Sequence, residues 1–333
     1  MKSLNISSSI FGIKISPIII LIIILMLLFP LFYGDGYILR IAVTSIIMGI
    51  LGMGFDFSNG FINIVNFGYA AFMGIGAYAS GIIATNFGLS PWITVIPAVL
   101  ITGLVGFLLG LLTLRLRGIF AACMAWFLAL VVHSLAVNWV DLTRGSSGLI
   151  VPRLFFTASN IPFYYVVIGL AIISYIILRF FINSQMGFAF SAIGQDLEAS
   201  HASGVQSTKY KIINFTISCA IAGLAGWFYA HYFRILTPDV THTSQTVEIL
   251  AVSYIGGRGS LWGSFVSALT VFPLLELLRP IPELRLFVYG FLLILVMIYY
   301  PGGLAELLSS ANSKINEFFA GHRQIEGDEN KNA

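Results

Sequence analysis

Three observations predict an all-α, polytopic membrane protein. Of the 333 residues, 58% are hydrophobic and only 9% charged, against about 25% charged in a soluble domain. The apolar residues fall in long runs of the length a helix needs to cross a bilayer. Apart from the largest connections, 141–160 and 183–210, nothing between the runs is big enough to fold outside the membrane. A net charge of +3 is too slight to point to nucleic acid, and the chain has no room for a soluble catalytic domain.

The apolar pattern predicts ten segments: 15–32, 38–57, 61–84, 92–114, 118–140, 161–181, 211–232, 245–257, 262–278 and 286–300. A full crossing takes about 20 residues, so the eighth and tenth read as tilted, half-spanning or broken helices. The first follows Lys2 and Lys14 and runs into Phe-Pro-Leu-Phe at 29–32, without a small-residue cleavage site. It therefore reads as an uncleaved anchor. Residues 1–305 are expected to form one transmembrane domain. The stretch 306–333 turns polar, ends in Glu-Gly-Asp-Glu-Asn-Lys-Asn before the last alanine, and reads as a disordered cytoplasmic tail.

Lys and Arg set the orientation. With a cytoplasmic N-terminus, Lys2, Lys14, Arg115, Arg117, Arg179, Lys209, Lys211, Arg258, Lys314, Arg323 and Lys331 lie inside, while Arg40, Arg144, Arg153, Arg234, Arg279 and Arg285 lie outside. Ten spans then return the C-terminus to the cytoplasm.

Ten segments divide into two halves of five that enter from opposite sides, as two inverted five-helix repeats do. The third segment of each half is unusual. Residues 61–78 carry Asn63, Asn66 and three glycines, and 245–257 runs into Arg-Gly-Ser-Leu-Trp-Gly at 258–263. Transporters built from inverted repeats place interrupted, glycine-rich segments around the substrate path. Glycines also simply let helices pack closely, and both readings stand.

Ionisable groups inside spans cost about 2.5–3.5 kcal/mol on insertion scales and are functional candidates. Asp56, His133, His231, Glu248 and Glu276 qualify, with Asp56 and Glu276 near segment ends that water can reach. Glu248, on a short segment, is the foremost. Cys123 and Cys219 each sit in an apolar run and read as packed thiols, suggesting neither a disulfide framework nor a metal site.

The interior connection 183–210 has content of its own. Residues 197–203 have helical character, with Asp196 and Glu198 at the start, where negative charge suits the helix dipole. Gly204 offers a stop. Such a helix is either an interfacial element or a knob for another protein's groove.

The heptapeptide 198–204, Glu-Ala-Ser-His-Ala-Ser-Gly, is similar to the E-A-A-x-x-x-G loop of ABC importer permeases. More specifically, the chain resembles the permeases of branched-chain amino-acid ABC importers, the M-type Liv subunits. The resemblance is carried by Gly-Tyr-Ala-Ala-Phe-Met-Gly-Ile-Gly-Ala-Tyr at 68–78, Leu-Arg-Leu-Arg-Gly-Ile-Phe at 114–120 and Ala-Gly-Leu-Ala-Gly at 222–226. Ile-Gly-Gly-Arg-Gly-Ser-Leu-Trp-Gly at 255–263 continues it, with 289–297 and Pro-Gly-Gly-Leu at 301–304. These occur in the family's order over about residues 50–305. Three positions depart from the family pattern: Ser200 replaces the second alanine of the loop motif, Tyr69 stands where many relatives have histidine, and Arg258 where leucine is common.

The resemblance implies a coupling helix with Glu198, Ala199, Ser200 and Gly204 seated in an ATPase subunit. It places Asn66 and Tyr69 near the substrate path, beside the candidates Asn63 and Glu248. It also implies ABC ATPase subunits, a second homologous permease and an extracellular substrate-binding protein as partners in a prokaryotic plasma membrane, with membrane lipid around the bundle. The sequence contains no G-x-x-x-x-G-K-[ST] phosphate loop, so ATP hydrolysis is expected on a partner. No enzyme activity, cofactor or metal is expected of this chain. Permeases of the same superfamily for urea, sugars or nucleosides are the nearest alternative. An ion-coupled secondary transporter would need a clustered midplane site that the scattered acids do not offer.

Overall fold

The computed structural model describes residues 29–30, 34, 36–113, 119–157, 159–276, 280–300 and 302–307. Almost all of the expected anchor, the stretch 114–118 and the polar tail beyond 307 lie outside the described residues. Within them the chain is a helical bundle. Its helices of six residues or more are α1 (Tyr37–Ile62), α2 (Tyr69–Phe87), α3 (Val95–Thr113), α4 (Ile119–Asn138), α5 (Ile161–Asn183), α6 (Gln185–Gln195), α7 (Leu197–Ala202), α8 (Ser207–Phe233), α9 (Thr243–Gly256), α10 (Leu261–Glu276) and α11 (Pro282–Tyr299). Six of these, α1 to α5 and α8, are long and apolar enough to cross a membrane. At 1.5 Å per residue α1 spans about 39 Å, whereas the 14 residues of α9 reach only about 21 Å. The short eighth segment is therefore a half-span.

Two boundaries differ from the sequence expectation. The third segment was expected from 61, but α1 continues to Ile62, residues 63–68 are irregular, and α2 starts at Tyr69. Asn63 causes the break. It adopts the left-handed conformation (φ 63°, ψ 34°) and its N–H closes the helix on the Ser58 carbonyl, a conformation asparagine tolerates better than other side chains with a Cβ. The second difference is α6, absent from the sequence reading. Ser184 caps it by accepting from the Met186 N–H at 3.2 Å. It buries Gly187, Phe190 and Ile193 while Phe188 is exposed, which suits a helix lying along the membrane surface.

The two halves pack reciprocally. Helix α1 packs on α10 as α8 packs on α3; α9 meets α1 as α2 meets α8; and the α2–α3 and α2–α4 contacts recur as α9–α10 and α9–α11. The corresponding helices α1 and α8 run antiparallel. The Ser218 hydroxyl donates to the Gly54 carbonyl (2.6 Å) and the Asn214 amide to the Phe57 carbonyl (2.9 Å), so residue numbers rise along α8 as they fall along α1. This is the geometry of an inverted repeat.

Glycine pairing makes the closest approach. A Cβ on Gly76 would lie 2.5 Å from the main chain of Gly223. The glycine-rich stretches at 68–78 and 222–226 are thus two sides of one interface, where small residues let backbones meet. At the opposite end from α7, strands β1 (Leu149–Ile150) and β2 (Ile235–Leu236) pair antiparallel. There the buried His231 lies 2.7 Å from the Pro152 carbonyl through Nδ1 and 2.6 Å from the Ser80 hydroxyl through Nε2. Against a carbonyl, Nδ1 must be the donor, so Nε2 accepts.

Candidate functional site

The exposed helix α7 is built from its cap outward. Asp196 ends α6, its N–H bonding the Ala192 carbonyl at 3.1 Å. Its Oδ1 accepts from the N–H groups of Glu198 (2.8 Å) and Ala199 (3.0 Å) to start α7. One residue therefore joins the two helices, and an aspartate in this role satisfies two otherwise unpaired donors. Glu198, Ala199, His201 and Ala202 are exposed, while Ser200 is buried with its hydroxyl on the Leu197 carbonyl at 2.8 Å. Gly204 exits with φ +82° and open space around its Cβ position. The His201 Nε2 to Ser207 Oγ contact (2.6 Å) ties the end of α7 to the start of α8. An open cleft of about 820 Å³ adjoins it, lined by Phe107, His201, Gly204, Gln206, Lys209 and Ile212 among others.

The four path candidates separate. Tyr69 is fully enclosed; its hydroxyl donates to the Ser218 carbonyl at 2.9 Å and its ring meets Phe55 edge-on. Asn66 is buried and shapes the break, its Oδ1 accepting from the Gly68 N–H at 3.0 Å. Asn63 is exposed at the end of α1, where its Oδ1 accepts from the Arg258 guanidinium at 2.7 Å. Glu248 is buried on the half-span α9.

Asn63 belongs to a larger clasp between the end of α1 and the turn after α9. The Gly259 N–H donates to Asp56 Oδ1 at 2.9 Å, and the Tyr254 hydroxyl to Asn59 Oδ1 at 3.2 Å. Arg258 also lies over the Tyr254 ring, 5.8 Å from its centroid. Backbones touch here as well, for a Cβ on Gly60 would strike the Gly259 N–H. Asp56 and Asn59 are fully buried, and the Asp56 carboxylate faces the backbone N–H groups of Gly259 and Ser260. Sequence reading singled out Asp56 and Arg258 separately; nothing local signalled that Asp56 meets the turn that carries Arg258.

Beside α9 lies a small apolar pocket of about 170 Å³, lined by Phe67, Trp126, Thr243, Thr246, Val247 and Leu250. The Trp126 indole N–H donates to the Thr243 hydroxyl at 3.3 Å across it. Among the described residues no three His, Cys, Asp or Glu side chains converge to hold a metal ion.

A bundle of two antiparallel related halves, with half-spans beside full spans and an exposed helix joining two long ones, defines a multi-pass membrane protein of the transporter class. Residues 37–297 match the branched-chain amino acid transport system permease component family, and the chain belongs to that family. It is 29% identical over 295 residues to the high-affinity branched-chain amino acid transport system permease protein LivM of Salmonella typhimurium, covering 80% of this chain and 69% of that one. It is 24% identical over 278 residues to LivH, a permease protein of the same-named system in Escherichia coli, covering 77% and 90%. It is also 25% identical over 278 residues to the fructose import permease protein FrcC of Rhizobium meliloti, covering 78% and 74%. No solved structure matches the chain.

Proposed function

We propose that this chain is the membrane-spanning permease subunit of an ATP-driven importer for branched-chain amino acids. The family match across 37–297 carries the reading. In it the chain does no covalent chemistry. Two ABC ATPase subunits hydrolyse ATP, a second homologous permease completes the path, and an extracellular binding protein delivers the amino acid. That both LivM and LivH are relatives supports a paired permease of related sequence. Both termini and α7 face the cytoplasm of a prokaryotic plasma membrane, in keeping with the Lys and Arg distribution.

Helix α7 is the coupling element, with Glu198, Ala199 and Gly204 exposed to an ATPase groove and Ser200 holding the helix to the bundle. Ala199→Trp adds bulk on the exposed face, and overpacking costs about 1–3 kcal/mol, about 5- to 150-fold in ATPase association. Leucine uptake should fall with it, while expression and membrane insertion stay at the parental level, because the helix lies outside the hydrocarbon. Gly204→Val should act likewise, since its φ of +82° suits glycine alone. Normal uptake by a normally expressed Ala199→Trp variant would remove α7 from the mechanism. The fructose permease relative supports a second reading, a sugar importer. Competition of labelled leucine uptake by unlabelled leucine but not fructose separates the two.

A further inference from the structure

We propose that the clasp between α1 and the turn after α9 is a latch on the inner mouth of the transport path, worked by α7 through α6. Asp56, Asn59, Asn63, Tyr254 and Arg258 act in it as positioning residues. The inference rests on the importer reading above.

A continuous line of contacts leads from α7 to the clasp. Asp196 is both the end of α6 and the cap of α7, so displacement of α7 is delivered to α6 without an intervening flexible loop. Helix α6 bears on the end of α1 at two points. A Cβ on Gly194 would strike the Phe61 carbonyl, and Phe190 meets Phe57 edge-on, with ring centroids 5.7 Å apart. Phe57 follows Asp56 directly and, with Phe61, brackets Asn59 and Gly60, the residues that with Asp56 grip the end of α9 and its turn. That turn continues directly from α9, the half-span that carries Glu248 and lines the 170 Å³ pocket. A push on α7 therefore reaches the half-span through Asp56, Asn59 and Asn63, or releases it there.

The polar inventory of the clasp fits a joint that opens. A joint whose polar bonds meet water exchanges protein partners for water at modest net cost, because a typical hydrogen bond returns little beyond what water offers the same groups. Here Asn63 and Arg258 are both exposed, so water competes for the bond between them. Parting the turn from α1 breaks four hydrogen bonds that involve side chains and admits water to their donors and acceptors. The two states then lie close enough in free energy for a bound partner to choose between them. Gly257 (φ +105°) and Gly259 (φ +76°) give the turn the backbone freedom to follow.

The test uses the assembled importer with its ATPase and second permease subunits, reconstituted in liposomes. Leucine accumulated per ATP hydrolysed is measured with the binding protein present. Asn63→Gly removes the acceptor for Arg258 while keeping the left-handed backbone, and Arg258→Leu removes the donor at an exposed site. Either should lower the leucine-to-ATP ratio by about 2- to 30-fold, the range for residues along a coupling network. Arg258→Lys, which keeps a donor, should retain most of it. Unchanged ratios in both Asn63→Gly and Arg258→Leu would overturn the latch. So would a loss that Arg258→Lys shares in full. In a Cys123→Ala background, Asn63→Cys and Arg258→Cys joined by a cleavable bifunctional thiol reagent should stop uptake, and reduction should restore it. Full uptake while joined would mean the clasp does not open. A wild-type complex that moves no leucine would count against the importer reading itself; wild-type transport with unaffected variants would sink the latch alone.

Discussion

Helices α1, α2 and α8 form the heart of the bundle, whereas α3, α4 and α5 form its rim, and the contrast between them runs opposite to that in a soluble protein. Of the most apolar window in each, 72%, 61% and 61% is buried in the first three, against 33%, 22% and 28% in the others. Yet the three rim helices are the more apolar set. The heart carries Asp56, Ser58, Asn59, Ser80, Asn214 and Ser218 as buried polar residues. The rim presents Ile96, Leu100, Leu104, Leu112, Phe127 and Ile172 outward. The bilayer is itself an apolar solvent, so hydrophobicity there drives a helix into lipid and not into a core. What holds the heart together is close backbone approach and hydrogen bonding between helices.

The largest expected effect comes from replacing the small residues of the heart. Gly76→Leu drives a side chain into the Gly223 main chain and should destabilise by about 3 kcal/mol or more. Gly169→Leu, on the rim helix α5 with open space at its Cβ, should stay within about 0.5 kcal/mol. Thermal loss of monodispersity in detergent measures both, and equal effects would abolish the distinction between heart and rim. Next in size is a charge on the rim. Leu104 is 58% exposed on α3, a setting in which a soluble protein accepts lysine freely. In a bilayer Leu104→Lys should cost about 2.5–3.5 kcal/mol of insertion free energy. Insertion scored by glycosylation mapping would show no cost if this face met water. The smallest effect is Tyr69→Phe, which deletes one interhelical hydrogen bond in the heart. It should cost about 0.6 kcal/mol and at most about 1.7, read by equilibrium unfolding in mixed micelles. A larger loss would assign Tyr69 more than a packing role.

Much of the fold was legible in the residues. The shortness of the 245–257 segment foretold the 14-residue α9, whereas the tenth segment, read as short as well, is the 18-residue α11. The helix at 197–203 ended one residue earlier, at Ala202, with the stop at Gly204 as expected. The break at 63–68 was placed inside a span because its apolar residues, Ile64, Val65 and Phe67, hide it from a hydropathy window. Helix α6 escaped because an eleven-residue surface helix punctuated by Gly187 and Gly194 has neither the length nor the uniform polarity that marks an element. Of the candidate site, the exposed α7 was visible as a motif, but the roles of Asn63, Asn66 and Tyr69 were not. Their spacing is the same whether they face a path or a neighbouring helix.

Composition and local pattern alone determined that the chain lives in a membrane, roughly where most of its apolar segments lie, that the eighth is short and that a helix stops at Gly204. Each of these depends on transfer from water or on the backbone of one residue and its neighbours. Only the tertiary structure decided that Tyr69 is enclosed, that Gly76 meets Gly223, and that Arg258 and Gly259 grip Asn63 and Asp56 across 195 and 203 residues of chain. Hydrogen bonds and close contacts between distant segments leave no trace in hydropathy, because lipid and protein interior are alike to an apolar side chain and differ only to a polar one that needs a partner.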